Sequence, residues 1–300
     1  MRFLICTTIY PLVLGCDIAS NALLLGQGEP TEKSESPRDR NRASAPSFAN
    51  SFGMRFVRID PGEFVMGTHD LGKDLPIPVG FETHRVRITK PYWLSVTEVT
   101  QEQFEQVMGT NPSWHSKLAD AGDSISDRST DNYPVENVTW HEAVEFCERL
   151  SVRSEEKKAN RKYRLPTEAE WEFACRERTS KPYQFEAGRN EVTGESAGQF
   201  EEEDSLPVTE VASYPPNSLG LFDMRGNVWE WTSDWFSPNY YANSPRDNPQ
   251  GPAHGMLKVV RGSDWVFVGE RCNYPRDPLE PWRSSRFVGF RVLCEIATKD

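Results

Sequence analysis

Along residues 54–66 (MRFVRIDPGEFVM) apolar and polar positions alternate on either side of a Pro61-Gly62 pair. The pattern predicts two short strands around a turn, with Phe56, Phe64 and Met66 facing inward. Residues 84–89 (HRVRIT) alternate apolar and basic positions as a half-buried strand does, and residues 92–95 continue in the same way. At 97–107 the period lengthens: Val99, Phe104 and Val107 share one face of a short helix, with Thr100 as its N-cap. The clearest helix is 139–151, where Thr139 and Glu142 form a capping box and Ala143, Val144, Cys147 and Leu150 make the buried stripe. Thr167 and Glu170 repeat the box for a helix over 167–176, with Trp171, Ala174 and Cys175 inward. Beyond it the sequence predicts loops and short strands up to a last strand at 287–294. These elements predict an α+β domain with little regular structure, not a doubly wound sheet.

Composition narrows the class. Nine Trp, sixteen Phe and nine Tyr in 300 residues supply the bulk for a core, which excludes disorder over the whole length. No apolar run reaches the ~20 residues of a membrane span, so a polytopic membrane protein is excluded. A net charge of −11 argues against nucleic acid as a partner, which would require a basic face.

The amino terminus reads as a separate object. Residues 1–26 carry Arg2 and then an apolar stretch broken by Thr7, Thr8 and Pro11, the layout of a secretory signal. Residues 13–16 (VLGC) resemble a lipoprotein cleavage box, which would place a lipid anchor on Cys16. The alternatives are a plain signal cleaved after Ala19 or Ala22, or a mis-assigned start codon. The expectation is an exported chain, periplasmic or at the cell surface, not membrane-spanning after processing. Residues 27–47 are charged and rich in Ser and Pro, and read as a disordered linker. The folded domain is expected over 48–297.

One segment carries a candidate metal chemistry. In GNVWEW (226–231) Gly226 permits a turn that presents carbonyl oxygens, while Asn227 and Glu230 add an amide oxygen and a carboxylate. Such hard oxygen donors suit Ca²⁺. The alternative is that Asn227 and Glu230 only satisfy loop amides while Trp229 and Trp231 pack the core. The five histidines are scattered, without the spacing of a zinc or iron site. No nucleophile elbow or phosphate-binding glycine loop is present.

Six motifs occur in order: EVTQEQF (98–104), PVENVTWHEAVEFC (134–147), YRLPTEAEWEFACR (163–176), PPNSLGLFDMRGNVWEWTSDWF (215–236), VVRGSDW (259–265) and VGFRVL (288–293). Together they resemble the sulfatase-modifying-factor family, whose founding activity is that of the formylglycine-generating enzyme, over roughly residues 52–294. The resemblance implies a single compact domain, a variant of the C-type-lectin-like fold. It also implies calcium held by Arg225, Gly226, Val228 and Glu230, with Asn227, largely through main-chain oxygens. A second calcium loop of the family lines up with 195–204, which lacks the expected Asn.

For the chemistry, the resemblance implies two cysteines five residues apart that hold Cu(I), which soft sulfur ligands favour. Here Cys272 stands at the second position and Phe267, which cannot ligate a metal, at the first. Asp264 replaces a Ser, and Phe287 replaces an Asn before the final strand. The expectation is a divergent or catalytically silent member, with copper doubtful and Cys272 either a remnant of the catalytic pair or a packed or disulfide-bonded residue. Trp265 and Arg276 are candidate substrate-binding residues. The family's bridge between the LPTEAEWE helix and the last strand is matched at Cys175, with Cys294 two residues past the other end. Cys175–Cys294 is therefore a candidate disulfide, and free thiols are the alternative. The partners implied are a sulfatase-type protein or peptide. The other reading is a glycan- or protein-binding module that uses the aromatics of 235–241 and Trp282, the alternative being that those aromatics pack the core.

Overall fold

The computed structural model describes residues 46–67, 82–116, 129–178, 208–263 and 278–297, all within a unit that runs from Ser44 to Asp300. Strands β1 (Ser47–Ala49), β2 (Arg55–Ile59), β3 (Gly62–Met66), β4 (His84–Ile88) and β5 (Tyr92–Ser95) come first. Helices α1 (Gln101–Met108), α2 (Trp140–Ser151) and α3 (Ser154–Lys158) follow, then β6 (Arg161–Arg164) and α4 (Glu168–Cys175). The rest is β7 (Trp229–Trp235), α5 (Tyr240–Asn243), β8 (Lys258–Gly262), β9 (Val288–Gly289) and β10 (Leu293–Ile296). The predicted α+β class with little regular structure is what is found.

Local sequence explains the helix starts. Thr100, Thr139 and Thr167 each accept the backbone N–H three residues on, and Gln103, Glu142 and Glu170 reach back to close the boxes. Gly109, at φ +84°, ends α1 in a left-handed turn. In α2 Phe146 rather than Val144 completes the buried stripe. α4 is buried on every side, which is why its hydrophobic periodicity is faint.

Three sheets result, ordered β1-β2-β5-β10-β6, β3-β4 and β8-β7-β9. The two strands flanking Pro61-Gly62 part company: β2 joins the large sheet, while β3 pairs with β4. Alternation along β2 and β10 sends Phe56 and Cys294 into one core cluster and Val57 and Leu293 into another. The large sheet therefore separates two cores, α1 and α2 covering one face and α4 the other. The expected last strand, 287–294, is broken in two. Val288 and Gly289 run parallel to β7, and from Leu293 the chain pairs with β5 and β6. Between them lies Arg291, fully buried. Its guanidinium needs partners a ladder would not provide, so the chain crosses between sheets there.

A buried ionic layer ties β3, α4, β7 and β8 together. Glu172 accepts from Gly67 N at 3.0 Å and Arg176 Nε at 2.6 Å, and pairs closely with Arg261. Glu168 accepts from Tyr241 Oη at 2.9 Å. Asp234 Oδ2 accepts Glu168 N at 2.9 Å and Ser233 Oγ at 3.0 Å. Burial, aided by the charge of Glu168, pushes the Asp234 carboxyl up to about 7. Lys258 Nζ lies 3.8 Å from the ring centres of both Trp140 and Trp235 and donates to Ser233 O at 2.7 Å. Burial brings this ammonium down to about 8.

Two outcomes follow from this packing. A Cβ on Gly289 would stand 2.3 Å from Val135 O, so Gly289→Ala should cost at least about 1–3 kcal/mol in urea unfolding. An unchanged midpoint would contradict the close approach. Because the folded Asp234 carboxyl holds its proton up to about 7, against an ordinary value near 3.8, its contribution to stability falls as pH rises between those values and stays lost above. Asp234→Asn should flatten that fall in thermal melts between pH 4 and 7, and raise the melting temperature at pH 8. A variant melting with the parent's pH profile would contradict it.

Candidate functional site

The segment predicted to bind calcium turns sharply before β7. Gly226 and Asn227 take successive positive φ values, +153° and +70°. Asn227, 1% exposed, accepts the backbone N–H of Thr209 at 3.0 Å through Oδ1, so it ties a distant loop to the turn. Burial lowers the pKa of Arg225, with Glu177 opposing. Val228 and Glu230 are fully buried.

Glu230 is engaged at both oxygens. Arg291 donates Nε to Oε2 and Nη2 to Oε1, each at 2.7 Å, and Trp171 Nε1 adds a third bond to Oε2 at 2.7 Å. Arg291 also reaches Phe222 O at 3.0 Å and Ser95 O at 3.2 Å. Burial opposes the Arg291 charge, but the Glu230 carboxylate outweighs it and the guanidinium pKa is raised.

Beside this pair stand two carboxyl groups that sequence reasoning missed. Glu98 is 1% exposed, and its carboxyl is hydrogen-bonded to that of Asp223. Asp223, at φ +58°, accepts Ala212 N at 2.6 Å through Oδ2 and is also hydrogen-bonded to the backbone of Tyr214 and the Glu98 carboxyl. Burial raises the pKa of both, and Asp223 and Glu230 raise Glu98 further. Three buried carboxyl groups thus face one guanidinium, and full ionisation would leave two negative charges in excess. Protons on Glu98 and Asp223 would balance that excess, and so would one divalent cation. Among the described residues no three His, Cys, Asp or Glu side chains converge as a ready ligand set. The paired carboxyls of Glu98 and Asp223 nevertheless have the hard oxygen chemistry calcium takes. Glu98 opens the EVTQEQF motif and Asp223 lies three residues before Gly226. Asp223 carried a signal, an acid between Leu221-Phe222 and Met224, whereas Glu98 sits among Val and Thr without one.

The other predicted residues divide. Trp265, Phe267, Cys272 and Arg276, with Asp264, lie outside the described residues. The Cys175–Cys294 pairing is corrected. Cys294 is a free, fully buried thiol, as Cys147 is nearly, whereas Cys175 is disulfide-bonded. The reason is geometric: Cys294 belongs to one core cluster and Cys175 to the other, with the large sheet between them. The partner of Cys175 lies outside the described residues. Burial raises the pKa of Cys147 and pushes the Cys294 thiol up to about 12. The aromatics of 235–241 lie closer to the core-packing alternative than to an exposed platform. Trp235 has Lys258 against its face, and Tyr241 is buried on Glu168. Trp282 remains exposed, at 66%.

Comparison with known proteins agrees with this architecture. Residues 42–296 match the sulfatase-modifying factor enzyme 1-like domain. The formylglycine-generating enzyme of Streptomyces coelicolor is 30% identical, over 78% of this chain and 87% of its own length. A serine/threonine-protein kinase pkn1 of Chlamydia pneumoniae is 32% identical over 80% of this chain, which spans only 38% of that protein. Among solved structures, PvdO from Pseudomonas aeruginosa superposes with a TM-score of 0.65 at 25% identity, covering 84% of this chain and 99% of its own. Treponema denticola variable protein 1 gives 0.62 at 26% identity, covering 83% and 98%. The chain belongs to the sulfatase-modifying factor family, with the fold of its formylglycine-generating members.

Proposed function

We propose that this chain is a catalytically silent, calcium-holding member of the formylglycine-generating family that recognises a sulfatase-type protein or peptide without oxidising it. The observation that carries the reading is the state of its thiols. The family chemistry calls for two thiolates, and position 267 is Phe. Of the described cysteines, Cys175 is in a disulfide, and Cys147 and Cys294 are free thiols buried in the core. None offers Cys272 a thiolate partner, so the residues do not fit copper and no oxidation step is assigned to them. The kinship with proteins named as kinases, and with one named chaperone protein LppX of Paenibacillus barcinonensis (28% identical over 58% of this chain), fits a scaffold reused for other roles.

In this reading Glu98 and Asp223 would hold calcium together with main-chain oxygens of Gly226 and Val228. Glu230 would stay on Arg291 and orient the turn from beneath. The ion would supply charge balance and rigidity. Residues 1–26 would serve as export signal and 27–45 as tether, because Pro46 and Ser47 already belong to the folded sheet, with Cys16 as candidate lipid anchor. Trp265 and Arg276 would line the peptide site.

The direct test is a copper-supplemented incubation with a CxPxR peptide followed by mass spectrometry. The peptide cysteine should remain unmodified while the peptide still binds. Aldehyde formation above a Cys272→Ala control would overturn the silent reading. Calcium should raise the melting temperature at pH 8, since saturation at about 100 times Kd is worth ~2.7 kcal/mol. EDTA should reverse that rise, and Glu98→Gln or Asp223→Asn should abolish it. A calcium response unchanged in both variants would remove these residues from the site.

A further inference from the structure

Outside the buried carboxylates, one stretch of surface departs from the rest of this acidic chain. Residues 282–286 (WRSSR) are largely exposed, Trp282 at 66% and the Arg283 side chain at 62%. The chain as a whole carries a net charge of −11, yet this stretch holds two arginines and no acid. Arg283 pairs only loosely, at 3.8 Å, with Glu280. Arg286 lies 5.0 Å over the Phe287 ring and meets no carboxylate among the described residues.

The stretch is held stiffly. Trp140 N donates to Pro281 O at 3.1 Å and Asn137 N to Ser285 O at 3.0 Å, while Arg283 N and Val288 N close turns onto Glu280 O and Ser285 O. Asn137, at φ +61°, also donates its side-chain amide to Pro112 O at 3.0 Å. The Pro112 loop is fastened again where Glu136 accepts His115 N at 2.7 Å and Gln101 donates to His115 O at 2.9 Å. That loop shows a second tryptophan, Trp114, 49% exposed. Single exposed apolar residues are ordinary on protein surfaces. Here two exposed indoles sit on two pinned loops fastened to the same asparagine, one of them flanked by arginines.

Exposed Trp and Arg on pre-ordered backbone are the residues that anchor protein interfaces, because little ordering entropy remains to be lost on binding. We propose that the 282–286 segment, with Trp114 beside Pro112, is a docking surface for an acidic, aromatic-containing segment of a partner protein. The arginines would meet carboxylates and the indoles would take the apolar side chains. The surface is distinct from the Glu98–Asp223 site and does not depend on whether oxidase chemistry survives.

The test is fluorescence anisotropy of the chain with a fluorescein-labelled acidic peptide, DEFDEFDE, and its basic counterpart, KRFKRFKR. The acidic peptide should bind preferentially, with affinity falling as salt rises. Trp282→Ala and the double change Arg283→Glu with Arg286→Glu should each weaken it about tenfold or more, with circular dichroism unchanged. Arg286→Lys, which keeps the charge, should retain most of the binding. Equal binding of the two peptides, no binding of either, or variants that bind like the parent would overturn the proposal. Preferential displacement by a sulfated oligosaccharide would overturn it in favour of an anionic glycan.

Discussion

The fold turns on one buried ion pair. Glu230 and Arg291 are both fully buried, and their paired hydrogen bonds join β7 to the crossing between β9 and β10. Trp171 brings α4 to the same carboxylate, and the backbone oxygens of Ser95 and Phe222 bring β5 and the approach to the turn. Loss of either partner would leave an uncompensated charge in the interior, at a cost of about 3–5 kcal/mol. The pair also constrains the neighbouring chemistry. With Glu230 committed to Arg291, any cation beside the turn must draw its carboxylate charge from Glu98 and Asp223.

Much of this was legible in the sequence. The three Thr-led capping boxes, the alternating strands at 55–59 and 84–88, and the motif order that gave the family all reappear in the structure. What escaped was set by contacts distant in sequence. β7 (WEWTSDW) mixes Trp with acids and lacks clean alternation, because Glu230 and Asp234 are buried on ionic and hydrogen-bonding partners rather than turned to water. The final strand reads as continuous, yet Arg291 forces it to change sheets. Cys294 sits near the sequence position of a bridging cysteine, but side-chain alternation points it into the opposite core from Cys175.

The candidate site was half legible for the same reason. Gly226 and Asn227 announce a turn, and Glu230 announces a carboxylate, whereas no local pattern reveals that Glu230 faces Arg291. Glu98 and Asp223 matter because the fold buries them beside that pair, more than 120 residues apart in the chain. The aromatics at 235–241 show the converse. An exposed stripe was one reading and core packing the other; a lysine held between two indoles and a tyrosine on Glu168 leave Tyr241 buried and Trp235, Phe236 and Tyr240 half-buried.

The account holds that the scaffold of the family is kept while the thiolate at the first position of its metal pair, where Phe267 stands, is missing. Titration of Cu(I) against a competing chelator, on the parent chain and on Phe267→Cys, measures that most directly. The parent should fail to hold copper against the chelator, and the variant should gain a binding equivalent. Tight one-to-one copper binding by the parent would contradict the account.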